Sequence, residues 1–128
     1  MSFIMTMRPR LTMIPLILFC SLFVACGPKH PGPVMTKEGV SFSLYAPEAK
    51  SVAITGSFNA WDIHKDRLSG PDKKGLWSIV LPLPEGRYEY LFVINEKDWQ
   101  PDPSVPEVDD GFGKKNSVFL VGEDHTLR

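Results

Sequence analysis

Cysteine is nearly absent: the 128 residues hold two, Cys20 and Cys26. Cys20 lies inside an uncharged apolar run, Leu11 to Val24, that follows the basic residues Arg8 and Arg10. The run ends at Phe23-Val24-Ala25-Cys26, a small residue followed by cysteine, with Phe23 where leucine is usual. This layout predicts export, with residues 1–25 as a lipoprotein signal peptide and Cys26 as the lipidated residue. The run is shorter than the ~20 residues a membrane-spanning helix needs, which argues against an uncleaved anchor. Removal of Cys20 with the signal leaves no pair to bridge, so the mature domain has to be held by its core, although export normally favours disulfides. A lone cysteine at a new N-terminus is better explained by lipid, since two or more acyl chains give stable attachment. The expected location is the cell envelope, at the outer membrane where the organism has one.

A surplus of positive charge is also missing. Without Arg8 and Arg10, 12 basic residues face 15 acidic ones, a net −3. Lys73-Lys74 and Lys114-Lys115 are isolated pairs, so nucleic acid is not expected as a partner. Histidine is scarce: His30 and His125 flank the domain, and His64 alone lies well inside it. Asp62-Ile63-His64-Lys65-Asp66 offers few metal ligands and no second cluster, so no metal and no cofactor is expected. No nucleophile turn singles out a serine. Asp102, Asp109 and Asp110 could form a carboxylate pair for glycoside hydrolysis, but so small a domain has little room for an enclosing cleft. They read as turn and loop acids, and the chain as no enzyme.

Helical periodicity is absent beyond the signal. Val40, Phe42 and Leu44 alternate with polar residues, the mark of a strand with one buried face. Ser51–Thr55 predicts a second strand with Val52 and Ile54 inward, and Leu76–Leu81 a third with Trp77, Ile79 and Leu81 on one face. Leu83-Pro84-Glu85-Gly86 reads as a tight turn into Arg87–Ile94, with Tyr88, Tyr90 and Phe92 on the core side. Trp99 opens a short segment, and Ser117–Val121 is the last strand. Twelve prolines and ten glycines suit short strands joined by many turns. The expected fold is all-β, an immunoglobulin-like antiparallel sandwich over residues 34–122, with a Pro/Gly linker at 26–33 and a tail at 123–128.

Two tryptophans do not fit a core. Trp61 ends Gly56-Ser57-Phe58-Asn59-Ala60-Trp61 and precedes Asp62, while Trp99 follows the hairpin-like Asn95-Glu96-Lys97-Asp98. Trp77, by contrast, sits within an apolar alternation. Flat rings in polar turns suit stacking on a sugar, whose C–H edges match the negative face of an indole. Its hydroxyls match nearby Asn, Lys and Asp side chains.

Four segments in order carry a resemblance: Gly56–Trp61, Leu83–Phe92, Trp99-Gln100-Pro101-Asp102-Pro103, and Gly111-Phe112-Gly113-Lys114-Lys115-Asn116-Ser117. Together they resemble the glycogen-binding domain of the AMP-activated protein kinase beta subunit. That domain is carbohydrate-binding module family 48, the early-set domain that also stands beside branching and debranching enzymes. The resemblance implies a β-sandwich that binds α-1,4-glucan: glycogen, starch or maltooligosaccharide. It implies that Trp61 and Trp99 stack on successive glucose units, that Phe112 presses on the glucan and that Asn116 bonds a hydroxyl. The family's hydroxyl-bonding lysine falls on Leu91, a departure, and a loop threonine falls on Lys114, which still offers a donor.

Two functions from different classes follow. One is a membrane-tethered, non-catalytic glucan-binding module using Trp61, Trp99 and Phe112 as a platform, with Lys114, Asn116 and Asn59 bonding hydroxyls and Leu91 packing on the ring. The alternative is an early-set interaction domain that has lost glucan binding and meets another envelope protein through the same face, since exposed aromatics also anchor protein interfaces.

Overall fold

The computed structural model describes residues 31–123 and 126–128. Cys26, the signal peptide and most of the linker lie outside those residues. The described chain holds eight strands: β1 Val34–Thr36, β2 Gly39–Tyr45, β3 Val52–Gly56, β4 Leu76–Leu81, β5 Gly86–Ile94, β6 Asp98–Gln100, β7 Glu107–Asp109 and β8 Lys115–Val121. There is no helix among the described residues.

The strands form two antiparallel sheets, one ordered β1-β2-β4 and the other β3-β5-β8-β7, with β6 also on β5. This is an immunoglobulin-like sandwich. Alternation sets the inner faces: Val40, Phe42 and Leu44 stand opposite Leu81, Ile79 and Trp77 across β2 and β4. Tyr90 and Phe92 on β5 and Phe119 and Val121 on β8 face them from the second sheet. Phe42 is the hub, its ring 5.1 Å from that of Tyr90 and 5.4 Å from that of Phe119, both edge-on. Edge-to-face geometry is the arrangement aromatic quadrupoles favour. Trp77 belongs to this core, and its Nε1 donates to Ala46 O at 2.9 Å.

The structure adds what periodicity is too short to reveal. β1 and β7 are three-residue strands. β3 is buried along its whole length, where one buried face was expected. The reason is a covered edge: Ile54 N donates to Asp66 O, and Leu68 N donates to Val52 O. Ser69 then bridges to Ser78 on β4, so this one segment fastens the two sheets together. The expected tail also returns, with the backbones of Leu120 and Arg128 bonded to each other at 3.1 Å in both directions.

β5 is the axis of the site. One edge pairs with β3; the other pairs with β8 over Gly86–Tyr90 and with β6 over Phe92–Ile94. Since Tyr88, Tyr90 and Phe92 point inward, Arg87, Glu89, Leu91 and Val93 point outward. Trp99 lies opposite Val93 and therefore shares that outer face.

Candidate functional site

The loop after β3 carries Trp61. Gly56 ends the strand where any Cβ would lie 2.3 Å from Glu89 O, so only glycine fits. Asn59 N and Trp61 N then both donate to Gly56 O, at 3.2 and 3.0 Å. The bend puts Ala60 and Trp61 at φ 56° and 60°. A side chain in this left-handed region costs roughly 1–2 kcal/mol per residue, so something has to hold it. Asn59 does. Its Oδ1 accepts Gly56 N at 2.9 Å, and its Nδ2 donates to Ile54 O at 3.0 Å and Asp66 Oδ2 at 2.8 Å. Asn59 is buried. The expectation that it bonds sugar hydroxyls is therefore corrected: its amide is spent inside the loop, and its task is to hold Trp61 in place.

Trp99 is carried by a second left-handed turn, with Asn95 and Glu96 at φ 52° and 63°. Asn95 Oδ1 accepts Lys50 N and Ser51 N, which docks the hairpin on the start of β3. Beyond Trp99 the chain is tied inward through Asp102. Tyr90 Oη donates to Asp102 Oδ2 at 2.7 Å, Asp102 N donates to Ser117 Oγ at 2.6 Å, and Ser104 donates to Asp102 Oδ1 through both N and Oγ. Burial, then the charge and hydrogen bond of Asp102, push the Tyr90 phenol far above its ordinary pKa. The two tryptophan loops also touch. Arg67 Nη2 lies 2.5 Å from Glu96 Oε1, and His64 Nδ1 lies 3.7 Å from the same oxygen. These groups are half exposed, so the pairing is worth only about 0–1 kcal/mol.

Phe112 tops the β7–β8 connection. Asp110 Oδ1 accepts Phe112 N at 2.7 Å and Lys114 N at 3.0 Å, while Asp109 Oδ1 accepts Gly111 N at 2.7 Å. Gly111 and Gly113 stand at φ 81° and 84° with open space around them, so the backbone angle, not crowding, calls for glycine there. The ring between them is 92% exposed.

These loops meet over the outer face of β5. Trp61, Trp99, Phe112, Leu91, Lys114 and Asn116 line one open groove of about 600 Å³ together with Glu89 and Asp110. Trp61 is 36% and Trp99 47% exposed. Asn116 is nearly buried, and its Nδ2 donates to Glu89 Oε2 at 3.1 Å. Arg87 Nη1 donates to Glu89 Oε1 at 2.7 Å. The Asn116 bond first, then that of Arg87, hold the Glu89 carboxyl below its ordinary pKa. Sequence reasoning missed Glu89 although the signal was present: the alternation that turns Leu91 outward turns Glu89 outward as well. Two other hollows, between Met35–Gly39 and Pro82–Pro84 and around Gly86 and Arg128, have no aromatic lining.

Residues 30–109 match the family Carbohydrate-binding module 48 (Isoamylase N-terminal domain). The chain belongs to this family. The matched stretch of this carbohydrate-binding module 48 domain includes Trp61, Glu89, Leu91 and Trp99; Asp110, Phe112, Lys114 and Asn116 lie past it and join the groove through the β7–β8 hairpin. Among similar proteins is a 1,4-alpha-glucan branching enzyme GlgB of Francisella tularensis subsp. novicida, 37% identical over 62 residues, which is 48% of this chain and 10% of the enzyme. The GlgB of Bacillus cereus (strain AH820) is 36% identical over 57 residues, 44% of this chain and 9% of the enzyme. The chain thus spans about a tenth of the length of these relatives.

Proposed function

We propose that the protein is a membrane-tethered, non-catalytic module that binds α-1,4-glucan: glycogen, starch or maltooligosaccharide. The observation that carries this reading is the convergence of Trp61, Trp99 and Phe112, from three separate connections, on one groove. Trp61 and Trp99 stack on successive glucose units, Phe112 presses from the loop tip, and Leu91 packs beneath. Lys114 bonds hydroxyls as a donor and Asn116 through its Oδ1, because its Nδ2 is engaged by Glu89. The hydrogen-bonded turns behind each ring favour a largely preformed site, which limits the ordering cost of binding. The branching enzymes it resembles are named for 1,4-alpha-glucan, in line with this ligand class. Tethering rests on Cys26 and the apolar run before it.

Leu91 favours a second reading, an interaction domain for another envelope protein, because it removes the hydroxyl-bonding lysine that the family resemblance implies. Maltoheptaose titrated into the full chain decides between the two. Tryptophan emission should change with binding, with little contribution from the buried Trp77. Trp61→Ala and Trp99→Ala should each weaken binding by about 1–3 kcal/mol, the usual range for truncating an aromatic anchor, and leave the fold intact. A folded wild type that ignores millimolar maltoheptaose would transfer the case to the interaction domain.

A further inference from the structure

The groove holds a carboxylate that the stacking reading leaves idle. Glu89 stands two residues before Leu91 on the same outward face of β5, and its side chain is 26% exposed. It cannot drift. Its backbone is fastened to the start of the Trp61 loop, where Ser57 N donates to Glu89 O at 2.9 Å and Glu89 N donates to Ser57 Oγ at 3.2 Å. Its carboxylate is fixed from both sides by Arg87 and Asn116. An ionised carboxylate offers about four acceptor positions, and these two bonds leave room for others on the groove side. The neighbouring acid, Asp110, is committed to its own loop: its Oδ1 accepts two backbone N–H groups of the Phe112 turn.

Polarity on β5 is therefore inverted relative to what the family resemblance implies. A lysine at position 91 would donate to sugar oxygens. Here Leu91 is silent and Glu89 accepts, so the sugar hydroxyl has to donate. We propose that Glu89 is a specificity-determining residue of the groove, accepting hydrogen bonds from hydroxyls of an uncharged glucose unit and turning away chains that carry carboxylate groups. The inference rests on the α-glucan reading above and deepens it. A ligand carboxylate seated near Glu89 meets the like charge of Glu89 and Asp110, offset in part by Lys114 and by Arg87, which is already paired with Glu89.

The test compares maltoheptaose with the same oligosaccharide oxidised to uronate at its primary hydroxyls, by calorimetry on the full chain. Wild type is expected to bind the neutral chain about tenfold more tightly, as like charges several ångströms apart near a protein surface require. Glu89→Gln keeps the shape and removes the charge. It should weaken maltoheptaose about fivefold, the difference between a charged and a neutral acceptor, and shrink the preference to below about threefold. Leu91→Lys leaves the bonds of Glu89 in place and sets an ammonium beside it, so it should narrow the preference too. Equal binding of both ligands by wild type overturns the proposal. So does a Glu89→Gln variant that loses the same factor for both ligands, which is the mark of a merely structural role. Failure of wild type to bind either ligand removes the glucan reading and this inference with it; binding of maltoheptaose without a charge preference removes this inference alone.

Discussion

Replacing Asn59 with alanine separates two roles that a sequence motif cannot distinguish. In the structure the amide satisfies Gly56 N, Ile54 O and Asp66 Oδ2, the first two being backbone groups of buried residues. Leaving a buried polar group without its partner costs about 1–3 kcal/mol, so the two backbone groups alone account for about 2–6. Part is returned, because a released loop no longer holds Ala60 and Trp61 left-handed, at roughly 1–2 kcal/mol each. With both angles relaxed the two backbone groups leave about 0–2 kcal/mol, and the lost bond to Asp66 adds about 1, a net loss of about 1–3 kcal/mol, tolerable for a domain of ordinary stability, about 5–15 kcal/mol. Asn59→Asp should do no better, since it loses both amide donors and faces the Asp66 carboxylate. Urea unfolding followed by tryptophan emission measures the loss, and maltoheptaose titration below the transition measures the consequence for Trp61. An Asn59→Ala variant within about 0.5 kcal/mol of wild type would refute the clamp. Should that variant also lose binding, Asn59 touches the sugar after all.

Leu91→Lys returns a hydroxyl donor to the outer face, so affinity for maltoheptaose should hold or rise; a clear drop by calorimetry would mean that Leu91 works through apolar packing. The buried Tyr90 phenol predicts an alkaline stability loss. Its pKa is raised in the folded state, so its contribution is intact below the unfolded phenol value of about 10 and is lost as pH rises above it, at about 1.4 kcal/mol per pH unit. Urea midpoints at pH 9 and 11 should diverge less in Tyr90→Phe than in wild type, and an unchanged difference would count against the assignment. Cys26→Ser should abolish incorporation of a labelled fatty acid, because serine offers no thiol; equal label on both proteins would end the lipoprotein reading.

Strands long enough to show an alternation were legible. β2, β4 and β5 declare their inner faces through Val40-Phe42-Leu44, Trp77-Ile79-Leu81 and Tyr88-Tyr90-Phe92, because period two needs no tertiary information. β1 and β7 were not, since three residues cannot display a period. Ala53 and Thr55 are buried on the nominally outer face, because the Asp66–Leu68 segment packs on the free edge of β3, a contact no local pattern encodes. At the site, Trp61 and Trp99 stood out by their polar surroundings, while Phe112 entered only through the family resemblance. Asn59 misled because its chemistry suits a sugar and a backbone clamp equally well, and only its partners decide. Glu89 was overlooked for the opposite reason: a lone acid within an aromatic strand looks like a solvated residue until Asn116 and Arg87 are seen on either side of it.

The left-handed backbone at Ala60 and Trp61 sets stability against recognition. Glycine at either position would relieve the angle at no steric cost, and stabilising substitutions are readily found in most proteins. A thermostability screen blind to ligand would therefore drift toward Ala60→Gly and Trp61→Gly. The first keeps the indole but loosens the turn that aims it, and the second removes the first ring of the platform outright. On the proposed glucan reading, engineering a hardier version of this domain thus calls for selection on a glucan matrix at each round, with the strained turn treated as protected ground.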